Sequence, residues 1–157
     1  MKVSGETLKY DPFAHAEKLH IPIVYRDIPG HSGFWEATHG FIVLSFGMGS
    51  VLERCVLAHE IAHAELEHTT TTDDTEKAAN ELAATQLVNP WRYHFARGKS
   101  RNHANWARSC GVTLEIIDAF VWEYPETLKK FSLAHLAPEE EPAMHELPLL
   151  GCRPVYI

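Results

Sequence analysis

Two hydrophobic periods succeed one another along the chain. Residues 21–28 are β-branched and aromatic, and Phe34-Trp35-Glu36-Ala37 and Phe41-Ile42-Val43-Leu44-Ser45 continue in that vein, so three strands are expected. Pro29-Gly30-His31-Ser32-Gly33 separates the first two, and Thr38-His39-Gly40 joins the last two. The nearly continuous apolar run at 41–45 belongs deep in a sheet or beside a groove. It is the candidate edge along which an extended peptide would pair, an interior strand being the competing reading.

The helical period brackets these strands. Asp11-Pro12 supplies an N-cap and a proline at the first helical position, opening a helix through Leu19. Ser50-Val51-Leu52-Glu53 has the form of a capping box for a helix reaching about Glu67. Residues 69–72 form a polar loop, and Asp73-Asp74-Thr75-Glu76 opens a helix that ends before Asn89-Pro90. Further helices are expected over 101–110, ended by Gly111, and from Leu114 to Tyr124, capped by Thr113 and closed or redirected by Pro125. Proline and an acidic run, Glu139-Glu140-Glu141, mark an extended tail. The expected fold is α+β: a small antiparallel or mixed sheet packed on a helix pair, with additional C-terminal helices. The expected divisions are a core over 1–95, a helical extension over 96–136 and the tail over 137–157.

Composition narrows the function classes. The 157 residues are 45% hydrophobic and 22% charged, an ordinary globular balance, with a formal net charge of −7 and no cationic block. Direct nucleic-acid binding is disfavoured, because gripping phosphates needs clustered cations. No run approaches the ~20 apolar residues of a membrane span, and the N-terminus lacks the apolar segment of a signal peptide. Cys55, Cys110 and Cys152 are odd in number and widely spaced, which points to a reducing compartment, the cytoplasm by default.

Chemistry concentrates at His59-Glu60-Ile61-Ala62-His63, inside the helix that begins near Ser50. Residues four apart share a helix face, so both imidazoles can reach one metal ion while Glu60 can reach a water beside it. Zinc suits such donors, and a catalytic site leaves a position for water, whose pKa falls from ~15.7 towards ~7. A carboxylate can then take the proton and pass it to the leaving amine. Exposed, unrelated histidines are the plainer alternative, but the motif sits among Val56, Leu57, Ala58, Ile61, Ala62 and Leu66, where unpartnered imidazoles would be costly.

A third ligand is required. His68, about 140° round the helix from His63, lies off the metal face and reads as a helix-end histidine. Glu76 and Glu81 on the next helix remain. Glu76 borders the apolar stripe of Ala78, Ala79, Leu82, Ala83 and Leu87 while Glu81 points away, which favours Glu76, although Glu76 can also serve a capping box with Asp73. Asn80, one turn beyond Glu76, can orient a ligand. Tyr93, His94 and His103 are oxyanion-donor candidates by chemistry alone. Trp106, Phe120, Trp122 and Tyr124 read as core packing.

A strand hairpin followed by Val56-Leu57-Ala58-His59-Glu60-Ile61-Ala62-His63, then Glu76-Lys77-Ala78-Ala79-Asn80-Glu81-Leu82-Ala83-Ala84 and a downstream Pro90, resembles the ImmA/IrrE family of metallopeptidases over roughly residues 10–95. The resemblance implies a zincin core of the gluzincin kind, with Zn2+ held by His59, His63 and Glu76, Glu60 as the catalytic residue and Asn80 as partner to a ligand. Ala78 stands where members often have Glu, and the connector before Thr72 is short. The family typically cleaves helix-turn-helix repressors of mobile elements or stress genes, so the implied partner is a repressor of phage or mobile-element type. A zinc-stabilised antirepressor that binds without cutting is the alternative, and a structural zinc site a third.

Overall fold

The computed structural model describes residues 9–130; the expected tail over 137–157, and Cys152 with it, lie outside them. The described elements are α1 (Pro12–Lys18), β1 (Ile23–Arg26), β2 (Gly33–Glu36), β3 (Phe41–Ser45), α2 (Ser50–Glu65), α3 (Asp73–Leu87), α4 (Pro90–Lys99), α5 (His103–Cys110) and α6 (Leu114–Lys130). Six helices and a small mixed open sheet make the α+β fold expected from the pattern. The chain divides into two compact units, one ending at Phe120 and the other beginning at Val121. The first carries the sheet, α1 to α5 and the opening turns of α6. Among the described residues no helix is long and apolar enough to cross a membrane.

The sheet has the order β1-β3-β2. β1 runs parallel to β3, with Tyr25 opposite Leu44, and β2 runs antiparallel to it, with Trp35 opposite Ile42. The apolar run expected at an edge is therefore the central strand. Ile42, Val43 and Leu44 are fully buried, because a strand covered on both faces has no polar side to alternate with. The edge strand next to the helices is β2. Gly33 lets it lie against α2: a Cβ there would sit 2.7 Å from Val56 Cγ1 and 2.9 Å from the Val43 carbonyl oxygen.

Helix α2 crosses the interior. Leu57 and Ile61 join Ala16, Ile42 and Leu44 in one fully enclosed cluster, with Ile21, Ile23, Trp35, Met48 and Val56 packed around it. On its other side α2 meets α3, which presents Ala79, Ala83 and Ala84, all at 0% exposure. Small side chains let the two helices approach closely, and that approach sets the distance between their polar residues.

Local signals account for most boundaries. Asp11 caps α1 by accepting from the Phe13 N–H at 2.9 Å. The Ser50 capping box does not form: Gly49 is the cap residue with no side-chain bond, and Glu53 accepts instead from the Tyr25 hydroxyl at 2.9 Å. For α3 the cap is Thr72, in a reciprocal box with Thr75. Asp73 is thus inside the helix and Glu76 has no capping role. Helix α4 was not foreseen; Asn89 caps it by accepting from Trp91 and Arg92 N–H, and Pro90 occupies its first position. Pro125 neither ends nor interrupts α6, whose backbone continues to Lys130.

Candidate metal centre

His59 and His63 sit one turn apart on the face of α2 that meets α3, while Glu76 and Asn80 sit one turn apart on α3 opposite them. The Nε2 atoms of the two imidazoles are 3.0 Å apart. Glu76 lies 3.2 Å from each, through Oε2 towards His59 and Oε1 towards His63. Among the described residues these three form a group able to hold a metal ion. Glu81 pairs with Lys77 on its own helix at 3.6 Å and is not part of the group.

Asn80 Oδ1 accepts from His59 Nδ1 at 2.9 Å, a bond that in the neutral ring leaves the lone pair on the Nε2 facing Glu76. His63 Nδ1 lies 2.9 Å from His68 Nδ1, and when His63 donates there its Nε2 is bare as well. With both rings neutral, two nitrogen lone pairs and a carboxylate converge on one point. Burial, with His59 beside it, holds the His63 pKa below its ordinary value, which keeps the lone pair available. Zinc bonded at about 2.0–2.1 Å to tetrahedral donors separates them by about 3.3 Å, close to the 3.0 and 3.2 Å found here. The donor set fits a zinc ion held by His59, His63 and Glu76.

Glu60 is 7% exposed. Burial raises its pKa to about 7, with the nearby Glu76 carboxylate acting in the same direction and the Trp35 N–H, which donates to it, opposing. That bond follows from the strand register. Ser45 N–H donates to Ser32 O at 2.8 Å, and bonded positions alternate along an antiparallel pair, so Gly33 and Trp35 turn their N–H and C=O groups away from β3. The open side of β2 therefore faces the same carboxylate that follows the first histidine.

Other sequence candidates fall elsewhere. Tyr93 packs edge-on between Trp106 and Phe120 at 5.5 and 5.1 Å. His103 pairs with Asp118 at 2.6 Å, and His94 is exposed with its ring edge-on to Trp91. Trp106 and Phe120 are core residues as expected, but Trp122 is 72% exposed; Tyr124 lies beyond the described side chains. Cys55 and Cys110 are buried thiols whose pKa values burial raises, that of Cys110 to about 11, which makes both poor nucleophiles.

The sequence reading missed His68. A helix continued to about Glu67 carries His68 off the metal face, but α2 stops at Glu65, and Glu67 adopts a left-handed conformation with φ 55°. The His68 N–H then bonds to the His63 carbonyl at 3.0 Å and the Glu67 N–H to that of Ala64 at 3.1 Å, a Schellman closure. The turn folds His68 back over His63. A polar residue followed by His two places after the last helical residue was the available signal, but without glycine it is faint.

An α+β unit with two helices offering His-Glu-x-x-His and a facing glutamate, beside an open strand edge, defines a metallopeptidase-like protein. The chain belongs to the family of the IrrE N-terminal-like domain, a peptidase family whose profile matches residues 16–121. No curated protein matches it.

Proposed function

We propose that this protein is a zinc-dependent endopeptidase that cleaves a specific protein, a helix-turn-helix repressor of a phage or mobile element in the cytoplasm, with Glu60 as general base. The observation that carries the reading is the convergence of His59 Nε2, His63 Nε2 and the Glu76 carboxylate, within 3.0–3.2 Å of one another, next to a buried carboxylate that no ligand role consumes. Zinc bound there supplies Lewis-acid polarisation of a carbonyl and acidification of water at neutral pH.

The chain's own residues supply the rest. Asn80 fixes the His59 ring and its tautomer through the 2.9 Å bond to Nδ1. Glu60, in a pocket that raises its proton affinity into the neutral range, takes a proton from water and returns it to the departing amine. The Trp35 N–H holds the Glu60 carboxylate at the strand edge. An extended substrate adds to the outer edge of β2, pairing with the outward-facing groups of Gly33 and with the Trp35 carbonyl. The net negative charge supports a protein partner over nucleic acid.

Glu60→Gln tests the reading. Zinc content stays at the wild-type level while repressor cleavage, followed by gel and mass spectrometry after co-expression, disappears. Should the variant relieve repression as well as the wild type does, capture without cutting is the function and the peptidase reading fails.

A further inference from the structure

We propose that His68 is the positioning residue for the ligand His63, doing on that side of the site what Asn80 does for His59. The inference rests on the metal reading above. A neutral His63 that offers its Nε2 lone pair to a metal must carry its proton on Nδ1. The atom facing that proton is His68 Nδ1, at 2.9 Å, with the two rings 5.1 Å apart and inclined by 66°. His68 therefore accepts through Nδ1 and keeps its own proton on Nε2. One ligand histidine is oriented by an amide oxygen from α3, the other by an imidazole from the loop that follows α2.

The backbone is built to make this contact. Were α2 continuous, His68 would point about 140° away from His63. Instead the chain turns at Glu67, whose φ of 55° is a left-handed conformation that is unfavourable for a residue with a Cβ. The bonds from His68 N–H to His63 O and from Glu67 N–H to Ala64 O hold it there. The first of these ties the backbones of the same two residues whose rings are paired, so the position of the acceptor relative to the ligand is fixed twice.

The test compares zinc affinity, by competition with a chromophoric chelator, in the full chain and in three variants. His68→Phe keeps a ring but has no acceptor, and its affinity falls about 10–100-fold. His68→Asn places an amide oxygen close to the position of Nδ1 and recovers most of that loss; His68→Ala replaces the Phe variant if the latter does not fold. The urea midpoint of the chelated proteins is the second readout, and it stays near the wild-type value. Wild-type affinity in His68→Phe overturns the proposal. So does an equal fall in Phe and Asn accompanied by a lower urea midpoint, which would make His68 a structural residue only. A wild-type chain that binds no zinc overturns the metal reading itself, and is recognised by the wild-type titration alone.

Discussion

Replacing Glu60 by glutamine should stabilise the metal-free protein at neutral pH and leave it unchanged in acid. In the fold this carboxyl keeps its proton to about pH 7, whereas 4.5 is its ordinary value. Between those values the folded chain binds more protons than the unfolded chain, so stability falls as pH rises. The contribution is intact below about 4.5, drains away through the window and is fully lost above about 7. Some 2.5 pH at about 1.4 kcal/mol each gives a loss of about 3 kcal/mol. Glutamine has nearly the same shape, can accept the Trp35 N–H and never ionises. Urea unfolding in the presence of chelator, at pH 4.5 and pH 8, is the assay. The variant and the wild type should coincide at the lower pH, and the variant should be more stable by about 3 kcal/mol at the upper one. The titration of His63 affects both proteins and drops out of the difference. A gap that is the same at both pH values, or a wild type that is the more stable at pH 8, would refute the idea that burial holds Glu60 in its acid form.

Other consequences are more local. Asn80→Ala removes the acceptor for His59 Nδ1 and should weaken zinc binding about 10–100-fold in a chelator competition, with little change in the fold. Gly33→Ala forces a Cβ against Val56 Cγ1 and the Val43 carbonyl; about 1–3 kcal/mol of stability should be lost, seen as a lower urea midpoint, and a substitution that costs nothing would show that β2 does not lie tightly on α2. Leu57→Ala, at a fully buried position in the central cluster, should cost about 2–5 kcal/mol by the same measurement.

Much of the site was legible because its geometry is local. His59 and His63 face one way by helical spacing alone, and Glu76 borders the small-residue stripe that brings α3 onto α2, so the residue types and their intervals were enough. Glu76 was separable from Glu81 by face, and the capping competition dissolved once Thr72 rather than Asp73 proved to be the cap. Four features were not legible. His68 reaches His63 only because the helix ends at a left-handed Glu67, and no glycine announces that turn. The central position of β3 depends on a parallel partner, β1, supplied across a connection, and an apolar run does not say how many neighbours cover it. Pro125 stays within the backbone of a helix, a placement that its local rule disfavours. The strand edge beside Glu60 likewise followed from register and not from composition.

Elemental analysis of the purified protein after dialysis decides whether His59, His63 and Glu76 hold a metal ion. One zinc ion per chain is expected in the wild type, in Glu60→Gln and in Glu81→Gln, and loss of zinc in Glu76→Gln and His63→Ala. A wild-type protein without a bound divalent metal, or zinc retained by Glu76→Gln and lost from Glu81→Gln, would rule out this ligand set.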